Sequence, residues 1–73
     1  MRKITKSEIE VLKLIYFSDK EIAKRLYLSV SSVKYRLRSL SDKLHFAESK
    51  TQILINALKD KVITLDDIVT ENS

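Results

Sequence analysis

The sequence predicts an all-α fold, a bundle of four short helices, on three observations. Apolar residues recur at helical spacing along most of the chain. Ser or Thr followed three residues later by Glu or Gln, the pattern of a capping box, precedes three of these stretches. The 73 residues include neither Gly nor Pro, so short helix–helix turns suit the chain better than hairpins or glycine-rich phosphate loops.

The first two helices are predicted from the capping boxes that begin at Thr5 and Ser18. The first is expected to run to about Phe17, with Tyr16 on its buried face. The second is expected over about residues 19–26, with Ile22 facing inward.

The third and fourth helices are predicted over about residues 30–44 and 50–61, with Ser29 and Ser49 as their N-caps. One more helical turn is expected after Thr64, and it would place Leu65 and Ile68 on the core.

Composition predicts a single domain over residues 1–73, with a core spanning about 4–63. The absence of Cys excludes disulfides and thiolate metal sites. The chain contains no apolar run of the roughly 20 residues that a membrane span needs, and no signal peptide precedes the first amphipathic segment. A cytoplasmic protein without a membrane partner is therefore expected.

The net charge of +4 is unevenly distributed. Residues 1–50 hold twelve Lys and Arg against six Asp and Glu, whereas residues 51–73 hold two against four. A basic body with a mildly acidic end indicates a polyanion as partner of the body.

The predicted third helix has one apolar and one polar face. Its apolar residues fall on a narrow stripe on the helical wheel: Val30, Val33, Leu37, Leu40 and Leu44. Ser31, Tyr35, Arg38 and Asp42 lie opposite, so the outward face combines short hydroxyls, an aromatic ring and cations. Such a face suits the major groove of DNA, where bases and phosphates are both within reach.

The second and third helices are separated by a turn of three residues, 27–29. A short positioning helix, a tight turn and a recognition helix form the helix-turn-helix arrangement. The predicted architecture is therefore a tetrahelical helix-turn-helix bundle.

An ordered set of short motifs carries a family resemblance. These are ITKSEIEVL at residues 4–12, KEIA at 20–23, LYLS at 26–29, SVK at 32–34 and KL at 43–44. Together they resemble the LuxR/GerE-type (NarL/FixJ-like) DNA-binding domain of bacterial transcription regulators, over about residues 4–63. The chain departs from that pattern in a shorter connection before Lys20, in Arg36 where the family commonly has His, and in a longer loop at His45.

The resemblance implies that base edges are met by Lys34, Tyr35 and Arg38. Arg38 can present a bidentate fork to guanine, and Lys34 can reach the same acceptors. Five further residues are expected to meet phosphates, which fix position without reading sequence: Lys20, Ser32, Arg36, Lys43 and Lys50.

The fourth helix is apolar on more of its surface than one core contact requires. Ile53, Ile55 and Val62 are therefore predicted to form a dimer interface, which would make the protein a homodimer on double-stranded DNA. RNA polymerase is a further candidate partner.

Two alternatives remain open. The segment SVKYRL at residues 32–37 is also similar to region 4 of sigma-70-type factors, which would indicate a promoter- or polymerase-binding module. A protein-interaction module would instead use the basic face to bind an acidic protein. An enzyme is not expected, since His45 stands alone and no catalytic constellation, cofactor motif or metal-ligand set is evident.

Overall fold

A computed structural model describes residues 3–69 of the chain. Over these residues it contains four α-helices, one 3-10 helix and no strand, which confirms the predicted all-α class. The helices are α1 (Lys6–Lys13), α2 (Asp19–Leu26), α3 (Val30–Lys43) and α4 (Lys50–Lys59), followed by the 3-10 helix Leu65–Asp67.

Each α-helix begins after the hydroxyl residue that the sequence indicated. The side-chain oxygen of the N-cap accepts a hydrogen bond from the backbone N–H three residues later, at 3.1–3.2 Å, in all four cases: Thr5, Ser18, Ser29 and Ser49. Of the three predicted capping boxes, only the one that begins α1 is complete. In α2 the side chain of Glu21 pairs with Arg25 instead, and in α4 the side chain of Gln52 bonds Asn56.

The central element is α3, which packs against α1, α2 and α4. Its predicted apolar stripe is buried at Val33, Leu37 and Leu40, and Leu44 continues it beyond the helix. Leu12 of α1 and Ile22 of α2 are among the largest fully buried side chains, and they belong to the same hydrophobic core as this stripe. Burial of such a side chain contributes roughly 1.5–3 kcal/mol relative to exposure.

The first helix is shorter than predicted, and this changes which residues face inward. After Lys13 the chain tightens, with Leu14 N–H bonding Val11 C=O at 3.0 Å and Ile15 N–H bonding Leu12 C=O at 3.2 Å. This three-residue repeat breaks the helical wheel. Tyr16 was predicted to be buried, and that prediction is wrong, because its side chain is 63% exposed.

The predicted turn after Thr64 forms as a 3-10 helix and meets the core on one side only. Leu65 is 70% exposed, so its predicted burial is wrong. Ile68, whose backbone is extended (ψ 125°), is half-buried against the core, which confirms its predicted contact. Val69 N–H then bonds Lys13 C=O at 2.8 Å and ties this segment to the end of α1.

The turn between α2 and α3 is a Schellman motif built on a tyrosine. Leu28 N–H bonds Ala23 C=O at 2.8 Å, and Tyr27 N–H bonds Lys24 C=O at 3.4 Å. Tyr27 has left-handed angles (φ 56°, ψ 43°), which a Cβ atom makes unfavourable and for which Gly is usual. This turn brings the chain straight from α2 into the N-cap of α3.

A buried carboxylate joins α1 to α3. Glu8 is 5% exposed, and its oxygens accept from Ser39 Oγ at 2.5 Å, Lys43 Nζ at 2.8 Å and Thr5 N–H at 2.9 Å. Burial alone would raise the pKa of Glu8. The hydrogen bonds from Lys43, Ser39 and Thr5, with the charge of Lys43, outweigh that effect and lower the pKa from 4.5 to about 2.

We expect this carboxylate to make stability depend on acid pH. Because the folded pKa lies below the unfolded one, the contribution of Glu8 is complete above about pH 4.5 and is lost as pH falls towards about 2. The shift corresponds to about 3 kcal/mol. This contribution of Glu8 to the free energy of unfolding is measured by denaturant unfolding of wild type and Glu8→Gln from neutral pH to pH 2.

The two curves should differ by about 3 kcal/mol at neutral pH and converge in acid. Asp67, whose pKa the hydrogen bonds from Thr64 lower, contributes equally to both proteins. Glu10→Gln is the matched control, because Glu10 is exposed on the same helix and should change stability by less than about 0.5 kcal/mol. Parallel curves for wild type and Glu8→Gln would contradict the assignment.

We expect Tyr27→Gly to stabilise the protein by about 0.5–1 kcal/mol, because Gly removes the left-handed strain. Tyr27 is 95% exposed, so little packing is lost with its side chain. Tyr35→Gly is the control: Tyr35 is also exposed but lies within α3, where Gly should cost about 0.5 kcal/mol. Thermal or urea unfolding shows whether each substitution raises or lowers the free energy of unfolding. A lower free energy of unfolding for Tyr27→Gly would contradict the prediction.

Candidate nucleic-acid interface

The outward face of α3 presents the three residues predicted to meet bases. Lys34, Tyr35 and Arg38 are all exposed, and Tyr35 is 75% exposed. Their spacing of one, three and four residues places them on one side of the helix. Tyr35 and Arg38 also line a shallow pocket of about 240 Å³ with Ser39 and Asp42.

The cations of this face have no acidic partner among residues 3–69. Asp42 is the only acidic residue in α3. Three cations elsewhere are neutralised internally: Arg25 by Glu21 at 3.0 Å, Lys43 by Glu8 at 2.8 Å and Lys50 by Asp19 at 2.9 Å. The positive charge of Lys34 and Arg38 is therefore directed to solvent.

Ser32 and Arg36 lie beside that face and are half-buried. Ser29 Oγ–H donates to Ser32 Oγ at 3.0 Å, so the hydroxyl of Ser32 still has its own hydrogen to donate. Arg36 Nε is shielded from solvent and has no acceptor in the described part of the chain. The phosphate contacts expected of Ser32 and Arg36 stay predictions.

The predicted phosphate contact at Lys43 is corrected by the structure. Its side chain is 12% exposed, and its ammonium donates to Glu8 Oε1 at 2.8 Å and to Lys3 C=O at 3.0 Å. If this ammonium moved to a DNA phosphate, the buried carboxylate of Glu8 would lose its charge partner, which is energetically costly. Lys43 therefore joins α3 to α1.

Lys50 also forms contacts within the protein, and its predicted phosphate contact stays a prediction. Its ammonium lies 2.9 Å from Asp19 Oδ1 and donates to Phe17 C=O at 3.0 Å. It holds the start of α4 against the start of α2. Lys20, by contrast, is exposed in the first turn of α2 and forms no ion pair in the described structure.

The three predicted interface residues of the fourth helix have different environments. Ile53 is 4% exposed and belongs to the core, so its assignment to a dimer interface is wrong. Val62 is half-buried against the core. Ile55 is 41% exposed and is the apolar residue on the outward side of α4. Much of the surplus apolar surface inferred from the sequence is thus used by the protein's own core.

Sequence reasoning missed a groove beside the end of α3. It has a volume of about 570 Å³, and four of its seven lining residues are apolar: Ile4, Ile9, Lys43, Leu44, His45, Asp60 and Val62. His45 Nε2 lies 2.9 Å from Asp60 Oδ2, and both residues line the groove. Only the fold brings these segments together, so no sequence signal could have identified the groove.

The exposed aromatic residue Phe46 was also missed. It is 76% exposed and has left-handed backbone angles (φ 55°), as does His45 before it (φ 63°).

Over residues 3–69, no three His, Asp or Glu side chains are grouped to hold a metal ion. None of the helices described is long and apolar enough to cross a membrane.

Comparisons of the chain with protein-family models, with curated proteins and with solved structures gave no match.

Proposed function

We propose that this chain is a sequence-specific DNA-binding transcription regulator, or the output domain of one, of the LuxR/GerE helix-turn-helix type. The observation that carries the proposal is the outward face of α3. Its cations Lys34 and Arg38 have no acidic partner among the described residues, whereas Arg25, Lys43 and Lys50 are neutralised by internal acids. An unneutralised basic face on a packed helix is the electrostatic footprint of a nucleic-acid partner.

The connection between α2 and α3 supports the proposal. The two helices pack together and are joined by the tight turn at Tyr27, as a positioning helix and a recognition helix would be. With 14 residues, α3 is about 21 Å long, which exceeds the roughly 12 Å width of the major groove. It can therefore lie in the groove while its flanks meet the phosphates.

Each outward residue has a distinct proposed role. Arg38 donates two hydrogen bonds to guanine O6 and N7, and Lys34 reaches the same kind of acceptor on a neighbouring base. Tyr35 packs on a thymine methyl or donates its hydroxyl to a phosphate. Lys20 meets the backbone of the opposite strand.

The proposed assembly on DNA is a homodimer on two half-sites, with Ile55 at its centre. An exposed isoleucine on the outward side of α4 supports that contact, and half-buried Val62 borders it. A single apolar residue makes a small interface, so the dimer is expected to form mainly on DNA, where both protomers are held side by side.

Selection of random duplex DNA on the purified chain, with binding repeated at two salt concentrations, tests the function. Recovery of a two-fold motif with affinity that falls steeply with salt supports the dimeric regulator. A single asymmetric motif favours the sigma-like alternative. Enrichment of no sequence, with weak binding at low salt, contradicts the proposal and leaves the protein-interaction alternative.

We expect Arg38→Ala to reduce affinity for the selected site by about 1–3 kcal/mol and to relax the preference at one base pair. Lys61→Ala is the control. Lys61 is exposed beyond α4, so its substitution removes the same charge without removing a proposed base contact. Fluorescence anisotropy on the selected duplex and on each single-base variant gives both quantities. Equal loss on every duplex would show that Arg38 meets only phosphate.

We expect Ile55→Asp to weaken cooperative binding to the two-half-site duplex while the unfolding free energy changes by less than about 1 kcal/mol, because Ile55 is exposed. Ile53→Asp is the contrast, since a charge at this buried position should unfold the protein. Gel-shift titration on one and two half-sites, with circular dichroism, separates the effects. If Ile55→Asp is folded and binds the two half-sites with unchanged cooperativity, α4 does not form the dimer interface.

A further inference from the structure

The outward face of α3 carries one acid among its cations. Asp42 is exposed, and α3 contains no other acidic residue. It lies four residues after Arg38 and seven after Tyr35, so at about 3.6 residues per turn its side chain leaves the helix between theirs. Tyr35, Arg38, Ser39 and Asp42 line the shallow pocket of about 240 Å³ on this face. Asp42 therefore faces the same molecule as the residues proposed to meet bases.

The carboxylate of Asp42 does not stabilise the bundle. It forms no ion pair over residues 3–69, although Arg38 is one helical turn away. Asp42 lies in the last turn of α3, where the helix dipole disfavours a negative charge. Asp is also a poorer helix former than most residues that occupy exposed helix positions. Its charge is therefore directed to solvent or to a molecule that binds α3.

A carboxylate restricts what can approach this face, because it accepts hydrogen bonds and donates none. In the major groove guanine presents two acceptors, and thymine presents an acceptor and a methyl group. Adenine presents an amino donor, but the acceptor N7 lies beside it. Cytosine presents the donor N4–H₂ and no acceptor. Cytosine is therefore the base whose major-groove edge a carboxylate fits.

We propose that Asp42 is a specificity-determining residue of α3, which accepts a hydrogen bond from N4 of a cytosine and disfavours the other three bases at that position. The inference rests on the proposed function and deepens it. Asp42 lies about 6 Å from Arg38 along the helix axis, which exceeds the roughly 3.4 Å between successive base pairs. The cytosine is therefore in a different base pair from the guanine assigned to Arg38.

The proposed contact gives specificity and lowers affinity. The carboxylate gains one charge-assisted hydrogen bond at the matching site, whereas DNA phosphates repel it at every site. At a mismatched site it faces a base acceptor without a donor, which weakens binding further. Removal of the carboxylate should therefore strengthen binding to random DNA and weaken discrimination. Removal of a cation from the same face should instead weaken binding to all DNA.

Selection of random duplex DNA on wild type, Asp42→Ala and Asp42→Asn tests the assignment. The wild-type motif should contain cytosine at one position where Asp42→Ala has no preference. Asp42→Asn should select adenine there, because a carboxamide donates to N7 and accepts from N6. The affinity of Asp42→Ala for random duplex should rise about threefold. Asp66→Asn is the matched control, because Asp66 is exposed outside α3 and its substitution should leave the motif unchanged.

The hydrogen bond itself is tested with N4-methylcytosine at that position of the wild-type site. The methyl group replaces the hydrogen of N4 that points into the major groove and leaves the hydrogen that pairs with guanine. Wild type should lose about tenfold in affinity, and Asp42→Ala should lose less than about twofold. Equal losses in the two proteins would overturn the contact.

The outcomes separate this inference from the proposed function. If wild type selects a motif and both Asp42 variants keep all its base preferences, the proposed function stands and only the role of Asp42 is wrong. Loss of preference solely at the base pair read by Arg38 would also overturn the cytosine contact, because Asp42 would then act through Arg38. If wild type enriches no sequence, both proposals fail. Unfolding transitions of the two variants confirm that they are folded before binding is compared.

Discussion

The buried carboxylate of Glu8 is the interaction on which the arrangement of α3 depends. Its three donors come from the N-cap of α1 and from two turns of α3, so one side chain sets the distance and rotation between these helices. A buried charge is tolerable only when it is paired and hydrogen-bonded, and Glu8 has both kinds of partner. Because α3 is held from behind in this way, its opposite face is left free for another molecule.

Basic residues of this protein differ in whether an acid neutralises them. Lys43 and Lys50 pair with acids of other helices and hold those helices together, and Arg25 pairs with Glu21 within α2. Three cations of α3 have no acid partner in the described structure and give this helix a directed field: Lys34, Arg36 and Arg38. The proposed DNA-binding face is thus defined as much by the acids that α3 lacks as by the cations it carries.

The absence of glycine shapes the turns. Left-handed backbone angles occur at Tyr27, His45, Phe46 and Lys61, all of which have a Cβ atom that disfavours them. Hydrogen bonds of the Schellman type and burial of the next residue, Leu28 or Val62, stabilise two of these turns. The turn at Tyr27 matters most for the proposed function, because it joins α2 directly to the N-cap of α3.

The sequence by itself determined the all-α class, the four N-caps, the extent of α2 and the buried and exposed faces of α3. These follow from side-chain spacing and from hydrogen bonds to the nearest turn, which are local properties. The exposure of Tyr16 follows from the change to a three-residue backbone repeat after Lys13, which the apolar spacing does not show. Only the tertiary structure decided that Ile53 is core and that Lys43 and Lys50 pair with acids of other helices. These outcomes depend on which distant residue lies opposite: Glu8 lies 35 positions from Lys43, and Asp19 lies 31 from Lys50. Periodicity in one helix carries no information about such pairings, because they are set by how the helices pack.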